Sequence, residues 1–198
     1  MRAIAVLVAL AAGAIAAVIP RDATEGVYVV SRDESGNEIH TRIAEPITSA
    51  SEVRSILDGN GELYGRDDWL ANENTHEYKT WCGCGFTMSK GDTDAAVAAL
   101  KAQAGSGFTY PHLSIYSIRG NVVAFACKSD GVSKGWTSSS NIGNLVKKVT
   151  DNCGKYVPGS AHQEQSNDGS STSDIGYMRW YSGLDFCGKA RGAGTGSC

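Results

Sequence analysis

The chain has 198 residues, 41% of them hydrophobic and 20% charged, with a formal net charge of -3. That length suits one domain plus a processed leader, and the apolar share excludes a disordered chain. So small a net charge also excludes the strongly basic character of a nucleic-acid-binding domain.

Residues 1–17 begin with Met1-Arg2 and continue as an apolar, alanine-rich run. A positive start, a short hydrophobic stretch and a small-residue exit at Ala14-Ile15-Ala16 or Ile15-Ala16-Ala17 read as a secretory signal. The run is too short for a membrane anchor, and no later segment approaches a spanning length. The expected product is therefore soluble, secreted and extracellular, with no transmembrane segment. In an exported chain an even cysteine count is first a disulfide framework. The six are Cys82, Cys84, Cys127, Cys153, Cys187 and Cys198.

All six lie after residue 80, and charge divides at the same point. Residues 18–80 carry six basic and thirteen acidic side chains, a balance of -7, whereas residues 81–198 carry eleven basic and eight acidic ones, a balance of +3. Within the acidic part, residues 26–31 and 38–43 are two β-prone runs around turn residues and predict a hairpin. Residues 48–58 predict a short helix on Val53, Ile56 and Leu57, stopped by Gly59-Asn60-Gly61. Residues 62–79 are polar and weakly patterned, as in a linker. The whole of 18–80 reads as an acidic pro-segment or N-terminal extension. An isolated hairpin is marginal in water, so Val27, Val29, Ile39 and Ile43 are expected to find cover on the cysteine-rich domain, helped by the opposite charges.

The domain at 81–198 starts with a strand-like run at 81–86 that puts Cys82 and Cys84 on one face. Residues 89–94 supply caps and first-turn carboxylates for a helix whose buried stripe is Val97, Leu100 and Ala104 with Ala96 alongside; Gly105 ends it. Residues 113–118 and 122–127 form a hairpin around Arg119-Gly120-Asn121. A polar loop at 129–139 carries Trp136. A second helix follows on the stripe Ile142, Leu145, Val146, Val149 and Cys153, capped by Ser140 or Asn141 and stopped by Gly154. Tyr156-Val157 suggests a short strand, 160–173 a flexible loop, and 175–186 contains a final aromatic-rich strand, the run at 175–181, before a Gly-rich tail. The order strand, helix, strand, strand, helix, strand predicts an α+β fold: an antiparallel sheet with two helices on one face, a split βαβ (β-α-β-β-α-β), disulfide-stapled and preceded by the β-hairpin leader.

With its signal, acidic hairpin-bearing leader and six-cysteine domain in this element order, the chain resembles small secreted proteins of filamentous fungi, especially the killer-toxin-like group of toxins and plant-pathogen effectors. The likeness covers roughly residues 81–187 and rests on topology and cysteine placement. It implies secretion and action on another cell or a host protein, and brings no shared catalytic residues. No dibasic processing site stands between leader and domain.

Little in the sequence points to catalysis. Cys82-Gly83-Cys84 lacks zinc-knuckle spacing, and an even cysteine set leaves no nucleophilic thiol over. Asp92-Thr93-Asp94 suits a helix start better than a divalent cation. His40, His76, His112 and His162 stand singly, as surface or loop histidines do. No esterase elbow, phosphate loop or dinucleotide fingerprint occurs, so neither a cofactor nor a metal is expected. A dispersed acid–base pair, such as Asp94 or Asp185 with His112, is the form a hydrolase would take here. Lys147, Lys148, Lys155, Arg179, Lys189 and Arg191 read as a solvated face rather than a nucleic-acid surface. Aromatic residues mark partner sites, which singles out Trp136, Tyr177, Arg179 and Tyr181. Strand alternation puts Tyr177, Arg179 and Tyr181 on one side and Met178 and Trp180 on the other, with one of these sets in the core. The expected function is a monomeric, non-catalytic effector or toxin-like protein that binds an extracellular protein or cell-surface target. The alternatives are an inhibitor of a host or competitor hydrolase and a small secreted hydrolase.

Overall fold

A computed structural model of the chain describes residues 17–58, 78–83, 85–110, 114–128, 135–163 and 173–192. The predicted leader hairpin is present as β1 (Gly26–Arg32) and β2 (Glu38–Ala44), its turn closed by Asn37 donating from backbone and side chain to the Asp33 carboxylate. The short helix α1 (Ala50–Asp58) follows. Beyond it come β3 (Tyr78–Cys82), α2 (Lys90–Ala104), β4 (Phe108–Tyr110), β5 (Ser114–Arg119), β6 (Val122–Lys128), β7 (Gly135–Thr137), α3 (Ser139–Cys153), β8 (Gly159–Gln163), β9 (Ser173–Arg179) and α4 (Phe186–Ala190).

Seven strands form one sheet in the order β2-β1-β5-β6-β9-β8-β3, antiparallel at every pairing. The α+β expectation of an antiparallel sheet with helices and disulfides therefore holds. Its finer interleaving does not follow from this order. In a split βαβ one strand separates the two joined by a helix, yet β8, β9 and β6 separate β3 from β5. Two of these, β8 and β9, stand where the sequence suggested a loop and a single last strand. The hairpin is part of the same sheet: β1 lies between β2 and β5, and Val27 and Val30 are fully buried and Val29 partly so, whereas Ile39 and Ile43, expected to find cover, stay exposed because β2 is the edge strand. Glu25, just before β1, accepts a hydrogen bond from Gly120 N and pairs with Arg119 at the β5–β6 turn. Gly120 takes a left-handed conformation there (φ 51°), which a residue with a Cβ adopts at a cost.

Both faces of the sheet are covered, so β5 and β6 are buried along nearly their whole length. On one face α2 lies over β5 and β6, α3 lies over β3, β8 and β9, and α1 packs beside α2. Caught between two helices and the sheet, α2 buries Ala95, Ala98 and Ala99 in addition to the predicted Ala96, Val97, Leu100 and Ala104. Its N-cap is Ser89, whose hydroxyl accepts from Asp92 N, and Gly105 N closes its last turn on Lys101 O. The α3 stripe Ile142, Leu145, Val146 and Val149 is buried as its spacing predicts, with Ser138 as the cap in place of Ser140 or Asn141. On the other face Tyr28 stacks on Tyr116 at 5.0 Å, and Phe186 meets Tyr116 and Phe125 at 5.0 and 5.6 Å. Residues 17–19 and 184–190 close that second core through Ile19, Leu184, Phe186 and Ala190.

Among the described residues each face carries one staple. Cys82–Cys153 ties edge strand β3 to the end of α3, and Cys127–Cys187 ties β6 to α4. Four of the six expected disulfide cysteines are thus paired; Cys84 and Cys198 lie outside the described residues, as do residues 62–77 of the predicted linker and residues 193–198 of the tail, while the linker's last two residues, Tyr78 and Lys79, open β3 instead.

Candidate functional site

The α2–α3 groove opens into a cleft of about 140 Å³. Helical spacing aims Thr93, Asp94 and Val97 of α2 and Val146 and Thr150 of α3 into it, Tyr177 of β9 forms its floor, and Lys155 and Tyr156 stand at its end. The sequence builds that end with a reversal. Gly154 stops α3 at φ 101°, and Tyr156 takes φ 63°, the one non-glycine left-handed residue among those described, where the predicted strand at 156–157 would have run on. Such a conformation costs of order 1 kcal/mol or more and persists where surrounding contacts enforce it. Here Met88 N, from the segment leading into α2, donates to Tyr156 O at 2.9 Å. The approach to one helix is thereby stitched to the exit of the other, and Cys82–Cys153 anchors the same corner.

Asp94 supplies the chemistry. Its Oδ1 is buried with no hydrogen-bond partner among the described residues. Burial pushes the carboxyl above its ordinary value, opposed by the attraction of Lys90 and by a hydrogen bond from Tyr156. The neighbouring threonine hydroxyls offer it nothing, since Thr93 Oγ1 donates to Ser89 O at 2.8 Å and Thr150 Oγ1 to Val146 O at 3.0 Å. A buried acceptor left unmade costs about 1–3 kcal/mol, and more if charged, whereas attraction to an exposed lysine is worth roughly 0–1 kcal/mol. The unfilled bond therefore outweighs the ion pair, and the cleft holds an acceptor awaiting a donor. In the sequence this residue was hidden inside a helix-start signature; Ser89 is the cap and Asp92 lies in the first turn, and Asp94 lines the cleft instead.

A second constellation sits on the opposite face, near the β3 edge. His162 of β8 lies directly across the ladder from Asp174 of β9, with Nδ1 at 2.9 Å from Asp174 Oδ1. Arg191 Nε donates to the same carboxylate at 2.9 and 3.1 Å, and its guanidinium lies 5.9 Å from the Trp81 ring centroid. Ser160 Oγ donates to Ala190 O. In contrast to Asp94, this carboxylate is saturated by partners. The cluster clamps the end of α4 to the sheet, and Ser160, its nearest hydroxyl on β8, is already committed to a backbone oxygen.

The sequence-derived partner residues separate. Tyr177 is 2% exposed, roofed by α2 and α3, so it belongs to the cleft floor and not to an open recognition surface. Arg179 and Tyr181 are exposed, with Lys189 Nζ 5.7 Å from the Tyr181 ring. The expected alternation holds between Tyr177 and Met178, but both are buried because both faces of the sheet are covered. Trp136 lies on β7, paired with Thr109 of β4. Two histidines are not surface residues: the side chains of His40 and His162 are 7% and 12% exposed. His40 Nδ1 lies 2.9 Å from the Tyr116 hydroxyl, and burial lowers its pKa against the attraction of Glu38. Asp185 is spent capping α4 through Gly188 N at 2.8 Å. His76 and His112 lie outside the described residues, and with His112 the acid–base pair considered for a hydrolase.

Among the described residues no group of three or more His, Cys, Asp or Glu side chains could hold a metal ion, and no helix is long and apolar enough to cross a membrane. The chain is thus an α+β domain stapled on both faces, with a cleft that lacks one hydrogen-bond donor. No protein-family model, curated protein or solved structure matches it.

Proposed function

We propose that this is an exported, non-catalytic binding protein of the effector or toxin-like kind, which engages an extracellular protein or cell-surface target through the α2–α3 cleft. One observation carries the reading: a buried, unpartnered carboxylate oxygen at a mostly apolar cleft, in a fold where the buried carboxylate of Asp174 is saturated. Among the described residues five other buried side-chain polar atoms also lack a partner, on His40, Ser114, Ser117, Thr137 and Trp180, but Asp94 is the one carboxylate among them and the one that lines the cleft. The two disulfides and the signal-like N-terminus support an extracellular site of action. In this reading the acidic residues 18–80 remain with the domain, because β1 is an interior strand and Glu25 holds the β5–β6 turn.

The test is capture of a partner from host extracellular fluid by the full secreted chain, alongside a variant with the cleft filled, Thr150→Trp. Capture by the parent, lost in the variant and kept in Arg179→Ala, is the expected pattern. Capture that survives Thr150→Trp refutes the cleft as the recognition site, and turnover of glycan, peptide or ester substrates by the parent refutes the non-catalytic reading.

A further inference from the structure

We propose that the cleft takes a primary ammonium group carried on a short apolar stem, with the nitrogen donating to Asp94 Oδ1 and the stem lying between Val97, Val146 and Tyr177. This rests on the reading of the cleft as a recognition site and adds the ligand's chemistry. Size sets the first limit. At about 140 Å³ the space is close to that of cavities that hold a single benzene ring, so the part of a ligand inside it is one ring or a four-carbon chain, and the open mouth lets a larger molecule continue outside.

Polarity sets the second. Besides Asp94 the walls are two valines, two tyrosines, two threonines and Lys155 at the end, and the hydroxyl hydrogens of Thr93 and Thr150 are spent on their own helix. Asp94 Oδ1 is the acceptor without a partner, which calls for a donor on the ligand. A cationic donor is favoured over a neutral one because it adds the attraction of opposite charges to the hydrogen bond, and because a bound cation relieves the penalty of keeping that carboxylate charged in a half-buried place. The charged and titratable groups around the site are Lys90 and Asp94 from α2, Lys155 and Tyr156 from the turn after α3, and Tyr177 from β9. Lys90 and Lys155 are exposed; long side chains of this kind keep their charge in water, where it is screened. Tyr156 already donates to the carboxylate and fixes its orientation, so the left-handed turn that presents Tyr156 acquires a purpose.

Two sources share this chemistry, a free small amine and the lysine side chain of a partner protein. Calorimetry on the full secreted chain at neutral pH, with benzylamine, n-butylamine, benzyl alcohol, benzoate and N-acetyl-lysine methylamide, separates them. The amines should bind in about the millimolar range expected of such small ligands, about tenfold more tightly than benzyl alcohol. Asp94→Asn, which keeps shape and removes charge, should bring benzylamine down to the alcohol's level. Amine affinity should also fall as acid protonates Asp94, one proton being released for each ligand bound. Binding of the lysine derivative points to a partner's lysine, and binding of the free amines alone to a small metabolite. Benzoate binding better than benzylamine, or an Asp94→Asn variant that retains amine affinity with a native circular dichroism spectrum, overturns the proposal. Should Asp94→Asn not fold, Thr150→Trp tests the same site by occlusion: it should abolish benzylamine binding, and an occluded cleft that still binds the amine overturns the proposal equally. If no amine binds while Thr150→Trp still abolishes partner capture, the ammonium assignment fails and the recognition site stands.

Discussion

Breaking the Cys82–Cys153 bridge should act on the cleft as well as on stability. The double substitution Cys82→Ala/Cys153→Ala leaves no odd thiol to form wrong pairs. The bridge joins residues 71 apart in sequence; closing a loop of that size removes unfolded-state entropy worth about 4 kcal/mol. For a chain of this length the loss corresponds to a fall of roughly 10 °C in melting temperature. The second bridge, Cys127–Cys187, spans 60 residues and so predicts a loss within a few tenths of a kcal/mol of the first, since the entropy varies only with the logarithm of loop length. Function should tell the two apart. Cys153 immediately precedes the Gly154 stop, three residues before Tyr156 and three after Thr150, so freeing it loosens the end of α3 and the turn that orients Asp94. Urea unfolding followed by tryptophan fluorescence measures both stability losses, and calorimetry with benzylamine measures the cleft. The expected result is similar destabilisation from either double variant, with amine binding lost only in Cys82→Ala/Cys153→Ala. A stability loss under about 1 kcal/mol, or equal loss of amine binding in both variants, would refute the reasoning.

Asp94→Asn should raise stability at neutral pH by on the order of 1 kcal/mol. Burial holds the folded carboxyl above its ordinary value of 3.8, so the penalty is present at neutral pH and is relieved as pH falls through the folded value; the gap between parent and variant should close towards pH 4 in urea titrations, and a gap that widens there contradicts the burial assignment. With Cys82, Cys127, Cys153 and Cys187 paired, full oxidation leaves Cys84 and Cys198 for each other, which peptide mapping of the non-reduced protein will reveal as a third bridge; two free thiols per chain is the contrary result. Asp174→Ala strips His162 and Arg191 of their shared carboxylate and should cost about 1–3 kcal/mol, discounted because Arg191 is partly exposed, without changing amine affinity. Cleavage within residues 59–77 should yield two fragments that stay associated on a sizing column, because β1 is held on both sides by β2 and β5; separation in native buffer counts against an interior strand.

The local elements were legible where one face decides the pattern. Ile142, Leu145, Val146 and Val149 announced α3, the runs at 26–31 and 38–43 announced the leader hairpin, and Arg119-Gly120-Asn121 announced the turn between β5 and β6. What depended on distant pairing was not. β8 reads as the small, polar segment Gly-Ser-Ala-His-Gln, and becomes a strand because β3 and β9 flank it. Tyr177 looked like a recognition aromatic since nothing local shows that α2 and α3 roof the sheet above it. Asp94 carries the same signal as any first-turn carboxylate, and its exceptional state arises only when α3 and the Tyr156 turn close over it. The His162–Asp174 pair likewise needs the β8–β9 register, which no spacing in the sequence encodes.

The most direct measurement is a heteronuclear NMR titration of the isotope-labelled, full chain with benzylamine. The methyl resonances of Val97 and Val146 and the Tyr177 ring should shift saturably in the parent and stay unmoved in Asp94→Asn. Shifts confined to the Trp81–His162 region, or identical shifts in parent and variant, would contradict the assignment of the cleft as an ammonium site.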